Sequence, residues 1–186
     1  MDIAEIVASR ARVEGDLIKV DDFLNHQVDP IVMKQTGRQI ADLLADRSVD
    51  LILTAEASGI PPALATSFLT DIPCVYAKKY VGPGNRYTFG REVVSPTKGV
   101  EYRVEVARHL LSPGLRVAIV DDFLAGGRTA EALGEIVEEA NCKVVTFIFV
   151  IEKTYTEGRR RLEAHNWTVE SLVKIANINN GTITLV

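Results

Sequence analysis

Cysteine, methionine and tryptophan are scarce in this chain: two, two and one among 186 residues. Cys74 and Cys142 lie in or beside apolar runs, without metal-ligand spacing or a pairing pattern, so both are expected as reduced core residues. Positive charge is not in excess: 21 Lys and Arg face 25 Asp and Glu, net −4, with no basic tract. That removes the electrostatic footprint of a protein that binds nucleic acid or an anionic membrane. Long apolar runs are also missing. The N-terminal stretch MDIAEIVASRARVEGD interleaves charges with apolar residues at helical spacing, unlike a signal peptide or membrane span, and a cytoplasmic protein is expected. Two well-known phosphate signatures fail. No lysine follows Gly127 as a P-loop requires, and Gly82-Pro83-Gly84 is not completed to a dinucleotide fingerprint at Tyr87. His26, His109 and His165 show no arrangement with Ser and Asp that would suggest a triad.

What is present reads as one domain over residues 1–186, long enough to bury most of its apolar surface, with no repeat, linker or low-complexity segment. Helical stripes run from about Asp29 to Ala45, Pro61 to Phe68 and Ala130 to Ala140. Short apolar runs at Val49 to Ala55, Pro73 to Lys78, Val117 to Asp121 and Lys143 to Glu152 predict strands. Four buried strands separated by helices predict an α/β fold with a central parallel sheet covered on both faces. The tail from Trp167 to Val186 carries an Asn179-Asn180-Gly181 turn signal between β-rich segments, which predicts a terminal hairpin or edge strand. The apolar stripe of the first helix suits either the core or an interface between chains.

The stretch Arg116 to Thr129, RVAIVDDFLAGGRT, carries the chemistry. Its strand puts Asp121 and Asp122 at the carboxyl end, where open α/β sheets bind ligands. Adjacent carboxylates accept hydrogen bonds from paired hydroxyls such as the 2′ and 3′ hydroxyls of a ribose. Ala125, Gly126, Gly127 and Arg128 then turn into a helix. The two glycines bring amides close to an anion, Thr129 adds a hydroxyl, and the helix adds its positive end. Carboxylates for sugar and amides for phosphate make a cradle for ribose 5-phosphate. The pentapeptide VDDFL also occurs at Val20 to Leu24, but without a preceding buried strand or a following diglycine, so Asp21 and Asp22 are assigned no such role.

Other turns fit the same crevice. Glu56-Ala57-Ser58-Gly59 follows a strand and precedes a helix that starts with prolines, so its amides can hold an anion. Lys78 and Lys79 end the next strand, where ammonium groups would neutralise charge developing on a leaving group. The segment Tyr80 to Lys98 is long, weakly periodic and rich in Gly, Pro, Arg and Tyr, the composition of a lid; within it Arg86 and Arg91 suit either closure over phosphates or the plain surface. Phe123 suits either an apolar face for a ring or the core.

These motifs resemble the type I phosphoribosyltransferases, and the whole length resembles the branch of bacterial xanthine phosphoribosyltransferases, notably at VDDFLNHQVDP from Val20 to Pro30, at Glu56 to Ile60 and at Ile151-Glu152-Lys153. The resemblance implies the type I fold, with a small hood formed by N-terminal and C-terminal segments. It makes Ala57, Ser58 and Gly59 a pyrophosphate loop and implies purine contacts at Ile18, Asn25 and Lys153. It also implies magnesium as cofactor, phosphoribosyl pyrophosphate and a purine base as substrates, and a homodimer. Lysine only donates hydrogen bonds, so Lys153 favours an oxygen at purine position 6 over the amino group of adenine. The branch usually reads Ala-Asn-Gly-Gln where this chain has Ala125-Gly126-Gly127-Arg128, which preserves backbone donors and adds charge beside the 5-phosphate. The expected reaction is attack of a purine nitrogen on the anomeric carbon, with pyrophosphate leaving and XMP formed from xanthine. Adenine or hypoxanthine/guanine transfer is the rival within this class. A transcription regulator that senses the same donor is the rival outside it.

Overall fold

The computed structural model of the chain describes residues 2–15, 17–80, 87–94, 101–179 and 181–186. In chain order the elements are α1 (Ile3–Arg10), the antiparallel pair β1 (Arg12–Glu14) and β2 (Leu17–Lys19), a π-helical turn at Asp21–Asn25, α2 (Pro30–Leu44), β3 (Leu51–Ala55), α3 (Ile60–Thr70), β4 (Cys74–Tyr80), β5 (Thr88–Val94), β6 (Glu101–Ala107), β7 (Arg116–Leu124), α4 (Arg128–Glu139), β8 (Lys143–Lys153), α5 (Gly158–Glu163), β9 (Val169–Asn179) and β10 (Thr182–Leu185). The α2 start shows how local chemistry sets a boundary. Asp29 Oδ1 accepts from the amides of Ile31 at 2.9 Å and Val32 at 3.3 Å, while Pro30 fills the first helical position, where no amide is needed.

One sheet carries eight strands in the order β10-β9-β8-β7-β3-β4-β6-β5. From β9 to β4 the neighbours are parallel; β10, β6 and β5 pair antiparallel at the two edges. The sheet is therefore mixed, with the expected parallel sheet as its centre. The difference arises at β5 and β6, part of which falls in the segment read as a lid. In β6, Tyr102, Val104 and Val106 alternate with Glu101, Arg103 and Glu105, the period of a strand with one face on the core. The terminal hairpin is present as β9 and β10.

Alternation also divides the core. Ile52, Ala118, Val120 and Ile148 point to the side of α2 and α3, where Ile40, Leu44 and Ala63 cover them. Leu53, Ile119, Phe147 and Phe149 point the other way, onto Leu133, Ile136 and Val137 of α4. The N-terminal stripe belongs to the core: Ile3, Ile6 and Val7 of α1 join Ile18, Phe23 and Leu24 against Val150, Ile151, Val173 and Ile175, with Ile183 and Leu185 of β10 at the margin. Each such burial contributes about 1.5–3 kcal/mol relative to exposure, which fixes this hood to the carboxyl ends of β8 and β9.

The chain leaves β3 toward β4 on one side of the sheet and leaves β7 toward β8 on the other. The loops after β3 and β7 diverge, and a crevice opens between the carboxyl ends of these two neighbouring strands, as the geometry of open sheets requires.

Candidate active site

A pocket of about 230 Å³ fills that crevice, walled by the end of β7, the turn into α4, the turn after β3 and the last residues of β4. Asp121 and Asp122 are at its base. Asp121 Oδ1 accepts from the Asp122 amide at 3.0 Å, and Asp122 Oδ2 accepts from the Asn25 side-chain amide at 3.0 Å. Removal from water pushes the Asp121 carboxyl well above its usual range, and the Asp122 charge pushes it further; the Asp122 amide and the Lys79 ammonium pull the other way. A strongly shifted carboxyl in a cleft marks a candidate functional site.

Ala125, Gly126, Gly127, Arg128 and Thr129 all line the pocket. Gly127 lies at φ 74°, the left-handed region, and starts α4 from there. The Thr129 hydroxyl is 2.6 Å from the Tyr102 hydroxyl, and Arg128 donates to the Val94 carbonyl at 3.0 Å, tying the helix start to β5 and β6.

In the turn after β3, Ser58 lines the pocket; Ala57, which is exposed, and Gly59, which is buried, do not. Gly59 is required by close approach: a Cβ there would sit 2.1 Å from Thr54 Oγ1 and 2.2 Å from Asp121 Oδ1. The turn thus packs directly on the carboxylate. The Glu56–Ala57 peptide is cis. Glu56 Oε1 accepts from the Lys79 amide at 2.6 Å, which joins this turn to β4.

The lysine pair is split by the pleat. Lys79 lines the pocket, its ammonium 5.5 Å from the centre of the Tyr102 ring. Lys78 pairs in register with Glu105 and points to the opposite face, so of the two lysines Lys79 lines the pocket and Lys78 does not.

Phe123 lines the pocket and also packs at the margin of the hood cluster. Asn25 reaches the site through Asp122. Ile18 is buried within the hood and does not line this pocket, because β2 turns it onto the apolar cluster there. Lys153 ends β8, half-buried, one strand away from the acidic pair. Arg91 lies in β5 and bonds Glu135 at 2.9 Å and Glu139 of α4. Arg86 lies outside the described residues, as do 81–86 and 95–98 of the lid segment. In the earlier VDDFL copy, Asp21 pairs with Arg12 at 2.9 Å.

Glu56, Val94 and Tyr102 also line the pocket and were not foreseen. The alternation in β6 was the signal for Tyr102; Glu56 stood in a motif quoted for its neighbours. Among the described residues, no three of His, Cys, Asp and Glu gather as a metal cluster, and no helix is long and apolar enough to cross a membrane.

Comparison with known proteins agrees with this geometry. The model of the phosphoribosyl transferase domain matches residues 20–182. A xanthine phosphoribosyltransferase of Chloroflexus aurantiacus is 42% identical over 95% of this chain and 83% of its own length. One of Streptococcus equi subsp. zooepidemicus is 40% identical over 98% and 95%. The crystal structure of adenine phosphoribosyltransferase from Rhodothermus marinus superposes with a TM-score of 0.76 at 23% identity, over 92% of this chain and 98% of that one, a likeness of fold. A parallel-centred sheet with an acidic pair, a diglycine turn and a lysine at its switch point, in a sequence matched over nearly its whole length, makes this chain a member of the phosphoribosyltransferase family.

Proposed function

We propose that this protein is a purine phosphoribosyltransferase that transfers ribose 5-phosphate from phosphoribosyl pyrophosphate to xanthine, giving XMP and pyrophosphate in purine salvage. The observation that carries the reading is the convergence of Asp121, Asp122, Lys79 and the 125–129 turn on one pocket. Asp121 and Asp122 accept the ribose hydroxyls. The amides of Gly126 and Gly127 and the Thr129 hydroxyl hold the 5-phosphate. Ser58 and the turn around it face the pyrophosphate, and Lys79 compensates charge as it leaves. No covalent nucleophile is needed; alignment of two substrates and exclusion of water do the work. The base lies toward Phe123 and the hood, where Asn25 and Lys153 stand, and lysine's donors suit the 6-oxygen of xanthine. Relatives about 40% identical are named for xanthine, which supports that base.

Magnesium fits the pocket's charge balance. Glu56, Asp121 and Asp122 face Lys79 and Arg128, three carboxylates against two cations among the described residues, before a polyanionic donor enters. A divalent cation held on the donor's oxygens, through water, by Asp121 and Asp122 would neutralise the pyrophosphate. The protein is proposed to act in the cytoplasm as a homodimer. The apolar face of α2 and α3, with Ile31 78% and Phe68 76% exposed, supports pairing with a second copy.

Pyrophosphate release with xanthine, guanine, hypoxanthine and adenine under one condition tests the reading. The highest kcat/KM is expected with xanthine and the lowest with adenine. A large preference for adenine would overturn the role given to Lys153, and no turnover with any base, with donor binding intact, would favour a sensing regulator.

A further inference from the structure

The phosphate turn is held from behind by two side chains that do not line the pocket. The Ala125 carbonyl accepts from the Thr156 hydroxyl at 2.9 Å, and the Gly126 carbonyl accepts from Arg161 Nε at 2.9 Å. In a trans peptide the C=O and the following N–H point in opposite directions. Anchoring the Ala125 carbonyl on the far side therefore turns the Gly126 amide toward the pocket, and anchoring the Gly126 carbonyl does the same for the Gly127 amide. Two successive glycines would otherwise be the residues freest to rotate those amides away.

Both anchors are themselves fixed. Arg161 Nη1 donates to Glu131 Oε2 in the first turn of α4 at 3.0 Å, so the guanidinium bridges α5, the turn and the helix that follows it. The single Thr156 hydroxyl proton is shared between the Ala125 carbonyl and the Lys153 carbonyl 2.6 Å away, and the Thr156 amide also donates to the Lys153 oxygen at 3.1 Å. Gly158 begins α5 in direct contact with the turn, where a Cβ would sit 2.1 Å from the Ala125 oxygen. The segment from Lys153 to Arg161 thus acts as a rigid backing.

We propose that Thr156 and Arg161 are positioning residues for the sugar donor: they preset the two backbone donors of the 125–127 turn, so that a phosphate monoester binds without reordering the loop. The inference rests on the reading that this turn holds the 5-phosphate. It concerns neither the base nor the leaving group, and that separation makes it testable.

The test is steady-state kinetics of the full chain, with phosphoribosyl pyrophosphate and the preferred purine varied in turn, alongside calorimetric titration with ribose 5-phosphate and a thermal melt. The variants are Thr156→Val, Thr156→Ser, Arg161→Met and, as a direct change in the turn, Thr129→Val. Loss of one such bond is expected to raise the donor KM and the ribose 5-phosphate Kd about tenfold in Thr156→Val and in Arg161→Met. The purine KM should stay within about twofold, and Thr156→Ser should behave as the parent. Should Thr156→Val fail to fold, Arg161→Met, in a side chain only 33% exposed yet at the surface of α5, and Thr156→Ser carry the test. An effect confined to Arg161→Met, with Thr156→Val unchanged, would assign it to charge and overturn the anchoring role. Equal rises for both substrates would mark a merely structural role and also overturn it. If Thr129→Val weakens the donor while neither anchor variant does, the anchors fail and the cradle reading stands. If Thr129→Val also leaves donor binding intact, the cradle reading fails and takes this inference with it.

Discussion

The side-chain amide of Asn25 donates to Asp122 Oδ2 at 3.0 Å across 97 residues of sequence, and so joins the hood to the acidic pair. Asp122 is 8% exposed, so this bond satisfies a carboxylate oxygen that water reaches poorly. Hydrogen bonds to charged groups contribute about 1.5–3 kcal/mol, equivalent to about 10- to 100-fold in an equilibrium constant. Asn25→Ala is expected to lower kcat/KM for the purine by at least about tenfold, and Asn25→Asp, which sets a second carboxylate against the first, by more. Kinetics of both variants against the parent check this.

Asp121 gives a trade between stability and activity. Its carboxyl is held well above the usual range by burial first and by Asp122 second. A raised pKa in the folded state means that the native state loses stability as pH rises through that raised value. Asp121→Asn removes this half-buried charge, so its melting temperature at neutral pH should exceed the parent's, by about 2–4 °C for each kcal/mol relieved. The difference should shrink on acidification, where the parent carboxyl is protonated too. Turnover should fall by at least about a hundredfold, as expected when strain at a functional site is removed. Melts over a pH series, with one activity assay, test both halves.

The two lysines of β4 should separate cleanly. Lys79 lines the pocket and Lys78 faces away beside Glu105. Lys79→Ala is expected to cost about 10²–10³ in kcat, the scale of losing one preorganised donor at a developing charge. Lys78→Ala should stay within about threefold, consistent with a surface group. Comparable losses in both variants would contradict the register of β4 on β6.

Behind the site, Arg159 donates to both oxygens of Glu152 at 2.7 Å, and Ser171 adds a third bond at 2.6 Å. Burial pushes the Glu152 carboxyl up, but these hydrogen bonds outweigh it and hold the group below its usual range. A lowered pKa contributes stability above the unfolded value, and that stability is lost as pH falls through the folded one. Arg159→Met leaves Glu152, 1% exposed, without its partner, at a cost of about 3 kcal/mol. The melting temperature should drop by about 6–12 °C at neutral pH and by less in acid.

The part of the pocket proposed for the donor was legible as a unit because it is local. Asp121 to Thr129 is one unbroken strand, turn and helix start, so its residues reach the pocket together. The part proposed for the base depends on tertiary closure. Nothing periodic around Asn25 points to Asp122, and only the family resemblance singled it out. Lys78 and Lys79 could not be told apart from sequence, since two adjacent residues at a strand end take opposite faces and the phase comes from pairing with β6. Tyr102 was readable in the alternation of β6, yet its part in the pocket depends on an antiparallel edge that a pattern of parallel strands does not anticipate. The reach of Thr156 and Arg161 to the turn from α5 is likewise a matter of packing.

The most direct test of the account is a crystal structure with phosphoribosyl pyrophosphate and magnesium bound. The ribose hydroxyls are expected on Asp121 and Asp122, with the 5-phosphate on the amides of Gly126 and Gly127. A donor seated elsewhere, or one whose phosphate lies outside the 125–129 turn, would contradict it.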